Sequence, residues 1–93
     1  MENIILSGKV LEGYAIPTPN TAVLIIKAQH GLLGCGYLAL ATAEKVGDAA
    51  AIVTGVKNFD DMLNARVQAV SSAAAALGVT TGMTGKEALL KLS

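Results

Sequence analysis

The chain has 93 residues, seven basic and seven acidic side chains and zero formal net charge, with 53% hydrophobic and only 15% charged residues. So balanced a chain has no field with which to draw in nucleic acid or an anionic membrane. One cysteine excludes an internal disulfide and suits a reducing compartment.

The first third reads as β-structure. Ile4-Ile5-Leu6 is a short β-prone run interrupted by Gly8, and Lys9 to Ile16 alternates in part, placing Val10, Tyr14 and Ile16 on one face with Glu12. Pro17-Thr18-Pro19-Asn20 breaks the chain and predicts a loop or hairpin connection. Thr21 to Ala28 is apolar on both faces from Ala22 to Ile26, which suits a strand covered on two sides or one lying in a subunit contact. A turn follows at His30-Gly31, then a short strand or strand end at residues 32–36.

Helix and strand then alternate. Tyr37 to Val46 has helix-forming composition and ends at Gly47, a suitable C-terminal cap. Ala50 to Val56 predicts a buried strand, and Asn58 caps a brief helix with Asp60 and Asp61 in its first turn. Val67, Val70, Ala74 and Leu77 recur at helical spacing, predicting a helix over 65–77 closed by Gly78. Val79 to Met83 predicts a last strand. Thr84 and Glu87 form a T-x-x-E capping box for a helix over 85–92. The fold class expected is α+β: one small domain over residues 1–93, mainly β over 1–37 and mixed over 38–93.

A domain this short hides only about 60–65% of the surface its unfolded chain exposes. Its apolar content is spread over small side chains, sixteen of them alanine. Burial between subunits would hide the surplus, so a homo-oligomer is expected. The start Met1-Glu2-Asn3 lacks the basic region of a signal peptide. Of the two long uncharged stretches, 28–43 is broken by Gly31, Gly34 and Gly36, and 67–85 carries Gln68, Ser71, Ser72 and three threonines. Neither offers about twenty consecutive apolar residues, so no membrane span and a cytoplasmic location are expected.

Three segments in order, Gly31-Leu32-Leu33-Gly34-Cys35-Gly36-Tyr37-Leu38, Gly55-Val56-Lys57-Asn58-Phe59-Asp60-Asp61-Met62-Leu63 and Leu77-Gly78-Val79 with Gly82-Met83-Thr84-Gly85-Lys86-Glu87-Ala88-Leu89-Leu90, give a chain that resembles the YunC-like family of small bacterial and archaeal domains of unknown function. The resemblance implies an α+β fold whose amino-terminal β region takes part in forming a tetramer. It implies no substrate, cofactor or catalytic residue.

Cys35 is the sharpest chemical feature. Set between Gly34 and Gly36 just before a predicted helix, its thiol would feel the positive end of the helix dipole, and the glycines would let a ligand approach the backbone. The alternative is a cysteine serving as a small buried hydrophobe. His30 is the sole imidazole, hence the one candidate base for a Cys35 nucleophile, unless it is simply a solvated turn residue. No spacing suits a metal site, and no cofactor is expected. Gly31-x-x-Gly34-x-Gly36 inverts the dinucleotide fingerprint, and the glycine spacing at 82–87 is wrong for a P-loop. Lys86 with the N–H groups near Gly85 could hold a small anion, although helix capping accounts for the same residues. Asp60 and Asp61, adjacent on a helix, diverge by about 100° and suit dipole compensation better than acid–base chemistry. Two readings result: a homo-oligomeric binding or structural module for a small metabolite or protein partner, and a thiol-dependent enzyme using Cys35.

Overall fold

The computed structural model describes all of residues 1–93. Six strands form one sheet in chain order: β1 (Glu2–Leu6), β2 (Lys9–Pro17), β3 (Ala22–Lys27), β4 (Leu32–Gly34), β5 (Ala50–Ile52) and β6 (Ala69–Val70). Neighbours are antiparallel except β4 and β5, which are parallel and are joined through helix α1 (Leu40–Val46). Helices α2 (Phe59–Asn64), α3 (Ser72–Ala76) and α4 (Gly85–Leu92) complete an α+β fold. No helix is long and apolar enough to cross a membrane.

The sheet has a covered face and a largely bare one. On the covered face Ile4, Leu11, Leu24, Ile26, Leu33, Ala51 and Val53 join Met62, Ala88, Leu89 and Leu92 from the helices in one core. Two glycines permit the close approach. A Cβ on Gly85 would run into the carbonyl oxygen of Met62, and one on Gly13 would lie 2.8 Å from the Phe59 ring. Registers Ile5↔Val10, Tyr14↔Ile25 and Ile16↔Val23 put the other set of side chains together on the outer face. There α1 crosses only the β4–β5 end.

Four elements differ from expectation. The helical pattern over 65–77 resolves into β6 and the five-residue α3, because residues 65–67 pair with 82–85 instead. Val67 N–H donates to Met83 O, Gly82 N–H to Val67 O, and Gly85 N–H to Ala65 O. The same pairing absorbs the strand expected over 79–83, where only Thr84 bridges Arg66 and the preceding residues turn. Ser71 breaks the apparent helix. Its buried hydroxyl accepts from Ala50 N–H and Ala74 N–H and donates to Asp48 O. The strand expected over 50–56 ends at Ile52, and α1 begins at Leu40 instead of Tyr37.

The carboxyl-terminal helix follows its sequence signals closely. Thr84 Oγ1 accepts from Glu87 N–H at 3.2 Å, and Glu87 Oε1 accepts from Thr84 N–H at 3.0 Å. Loss of the cap in Thr84→Ala is expected to cost about 1 kcal/mol of unfolding free energy. Gly85→Ala, which overfills the α2–α4 contact, is expected to cost about 1–3 kcal/mol. Urea denaturation of both variants checks the order, and a neutral Gly85→Ala would refute the close-contact account.

Candidate functional site

Cys35 follows directly on β4, and its position is set by the ladder with β3. Antiparallel pairing alternates hydrogen-bonded residue pairs, and Ala28–Gly31 and Leu24–Cys35 fall in the bonded positions, since Ala28 N–H donates to Gly31 O and Cys35 N–H to Leu24 O. The return bond is unusual. Leu24 N–H donates at 3.3 Å to Cys35 Sγ, the sulfur standing where a ladder carbonyl would. The Cys35 carbonyl is thereby free to accept from Leu38 N–H and begin the turn towards α1. The thiol is 4% exposed.

The flanking glycines have different roles. Leu38 folds over Gly34 into the space a Cβ would take, so Gly34 serves a packed turn. Gly36 is exposed, and a Cβ there would meet only Thr54 Cγ2 at 3.5 Å. Cys35 and Gly36 line an open cavity of about 340 Å³ with Thr21, Ala22, Tyr37, Gly55 and Val56. His30 lies beyond the opposite end of β4, where its N–H donates to Leu92 O and its exposed side chain lines a separate cavity of about 280 Å³ with Lys27 and Asp48. The structure therefore does not bring His30 to Cys35. With α1 starting at Leu40, five residues past Cys35, the helix dipole argument for the thiol also lapses.

Asp61 and Glu87 are engaged locally, whereas the Asp60 and Lys86 side chains make no hydrogen bond. Asp61 accepts from Lys57 N–H and donates its own N–H to Asn58 Oδ1, while Glu87 is held in its capping box. The Thr84 N–H, and then the Thr84 hydroxyl, hold the Glu87 carboxyl below its ordinary value. No three His, Cys, Asp or Glu side chains gather closely enough to hold a metal ion.

A more apolar site lies where no sequence motif points. Beneath α1, on the outer face, a cavity of about 290 Å³ is bounded by Leu32, Leu38, Leu40, Ala43, Val46 and Ile52, with Asp48 at its rim. None of the residues of α1 is buried. Glu44 ties the helix to the next layer, its carboxylate accepting from Ser72 N–H at 3.0 Å.

Residues 34–92 match the family model described as a domain of unknown function, DUF1805. The chain belongs to the DUF1805 family. It is 34% identical to the uncharacterised protein YunC of Bacillus subtilis (strain 168) over 96% of this chain and 92% of that protein. A crystal structure of a protein of unknown function, TA1206 of Thermoplasma acidophilum, superposes with a TM-score of 0.94 at 38% identity, over 99% of this chain and 90% of that one. The DUF1805 match begins at Gly34, so the β4–α1 turn, α1 and the lining of its cavity apart from Leu32 fall inside the matched segment, whereas β1 to β3 precede it.

Two measurements probe this site. Iodoacetamide is expected to label Cys35 slowly in the folded protein and fully after unfolding, and Cys35→Ala to lose about 1–3 kcal/mol by orphaning the buried Leu24 N–H. Fast labelling of the folded chain would refute a ladder role. Glu44 is held below its ordinary 4.5 by the Ser72 hydroxyl and then its N–H, so its stabilising bond is present above pH 4.5 and is lost as pH falls through the lower folded value. The Ser72 amide shift is expected to titrate with a midpoint below 4.5, and Glu44→Gln to abolish that titration. A midpoint at or above 4.5 would contradict the contact.

Proposed function

We propose that this DUF1805 chain is a cytoplasmic homo-oligomeric binding module, assembled through the outer face of β1 to β3. The observation that carries the reading is the apolar surface left bare there. Ile5, Val10 and Ile16 are 73%, 63% and 61% exposed, and the half-buried Val23 and Ile25 continue the patch across β3. At about 3.4 Å per residue and about 4.8 Å between strands, the patch is about 30 Å long and about 14 Å wide. Its flat footprint is about 420 Å², within the about 800 Å² that each partner gives a standard interface.

A second copy of the chain is the occupant that fits. The face is β-branched and aliphatic, and its charged residues, Glu12 and Lys27, are cross-strand neighbours of opposite sign. Opposite charges side by side can meet their own copies about a two-fold axis without like-charge contact. Tyr14 adds an amphipathic ring, its hydroxyl donating to Glu12 and held above its ordinary 10.0 chiefly by that bond. A tetramer would use this face and one more contact. The thiol-dependent reading has less support, because Cys35 spends its sulfur on Leu24 N–H and has no imidazole beside it.

Light scattering during size exclusion tests the assembly. The wild-type chain is expected to elute as an oligomer, and Ile16→Lys or Val10→Lys as a monomer of unchanged circular dichroism. A wild-type monomer at high concentration, or charge variants that stay assembled, would overturn the reading.

A further inference from the structure

The binding-module reading leaves open what is bound, and α1 narrows it. A seven-residue helix is not stable by itself and depends on tertiary packing. Here that packing is thin: Leu40 and Ala43 are half-buried, the other residues are exposed, and about 290 Å³ of space separates the helix from Leu32 and Ile52. The helix is kept in place by its Gly47 cap and by the Glu44–Ser72 contact. At about 30 Å³ per water-sized group the space holds about ten heavy atoms. Its volume sits at the lower end of small-molecule sites.

The lining decides the chemical class. Nine of the eleven lining residues are hydrophobic, and the single charged one is Asp48. The Asp48 backbone is fixed, its N–H donating to Ala43 O and its carbonyl accepting from Ser71 Oγ. Its carboxylate has no hydrogen-bond partner of its own, and no basic side chain lines the cavity with it. Lys27 and His30 lie around the neighbouring cavity, which Asp48 also borders. Phosphates and carboxylates would bring a negative charge to a site whose one ionic group is an anion. We propose that the cavity beneath α1 binds a small organic cation, an alkyl- or arylammonium whose apolar body packs on Leu32, Leu40 and Ile52 and whose ammonium meets Asp48. This rests on the module reading for its purpose but not on the assembly face.

Amide-resolved NMR titration of the full chain with hexylammonium, hexan-1-ol and hexanoate tests it. Hexylammonium is expected to give saturable shifts confined to α1, β5 and residues 47–49. Hexan-1-ol is expected to bind about tenfold more weakly for want of the charge-assisted bond, and hexanoate to leave those amides unmoved. Asp48→Asn should bring hexylammonium down to the alcohol's affinity, and Ala43→Phe, which fills the space, should abolish binding. Ala50→Val, narrowing the floor, repeats that check if Ala43→Phe does not fold. Equal binding of all three probes, hexylammonium binding untouched by Asp48→Asn, or shifts elsewhere in the chain would overturn the proposal. So would α1 amide shifts that change with protein dilution and no ligand, since a second copy would then fill the cavity. Ile16→Lys separates the two readings: as a monomer it should still bind hexylammonium, whereas failure of assembly in the wild type would leave the cation site standing.

Discussion

The parallel pairing of β4 with β5 governs the rest of the architecture. Every other pair in the sheet is antiparallel and can be joined by a local reversal, but parallel neighbours require a crossover connection. Here that crossover is residues 35–49. The covered face is occupied by α2 and α4, so the crossover passes over the outer face, and α1 shields only the strands it connects. Both incompletely packed surfaces follow: the space under α1 and the bare outer side of β1 to β3. They share a face and meet where β3 adjoins β4.

The same crossover explains why Cys35 stands where it does. The chain must leave the β3–β4 ladder abruptly to climb over the sheet, and the residue that leaves owes Leu24 an acceptor. A serine oxygen at that point would lie closer to its own backbone; the longer Cβ–Sγ bond lets sulfur reach across at 3.3 Å. Gly34 makes room for Leu38 at the same corner. What looks in the sequence like a nucleophile framed by glycines is thus largely the mechanics of a sharp exit from a sheet. Both share a residue pattern, since a ligand and a folded-back leucine make the same demand for a missing Cβ.

Legibility in the sequence tracked how local the determining interaction was. The α4 capping box, the Gly47 cap, the Asn58 cap and the apolar run of β3 were all readable, because each is decided within a few residues of chain. The α+β class followed from the same signals. Residues 65–83 mislead because Val67, Val70, Ala74 and Leu77 do carry helical spacing, while the competing bonds come from Met83, Gly82, Ile52 and Ala50, all distant or on another strand. Ser71 held the one local warning, a capping residue amid alanines whose hydroxyl goes to Ala50 and Asp48. Of the site, Cys35 and Gly36 do line a shared cavity, whereas His30 lies at the other end of β4. The cavity below α1 had no signature, since nothing in LATAEKV states how far a helix stands from its sheet.

The parity of β2 links the two surfaces to one conclusion. Leu11 and Gly13 face the core, so Val10, Glu12, Tyr14 and Ile16 must face outward. A solvated outer face would favour polar residues at those positions; three of the four are apolar or aromatic, and the fourth is bonded to the tyrosine. No core requirement produces that choice, because a one-residue slip in register would exchange the two sets of side chains and empty the core. Apolar residues grouped at positions the monomer leaves in water are what the proposed assembly would cover. The same reasoning applies to Leu40, Ala43 and Val46, which face a space their own chain does not fill. On the sheet the missing contact is long, flat and charge-balanced, as a second copy of the chain would be. Under α1 it is small, apolar and anionic at its rim, dimensions that suit a side chain or a small cation.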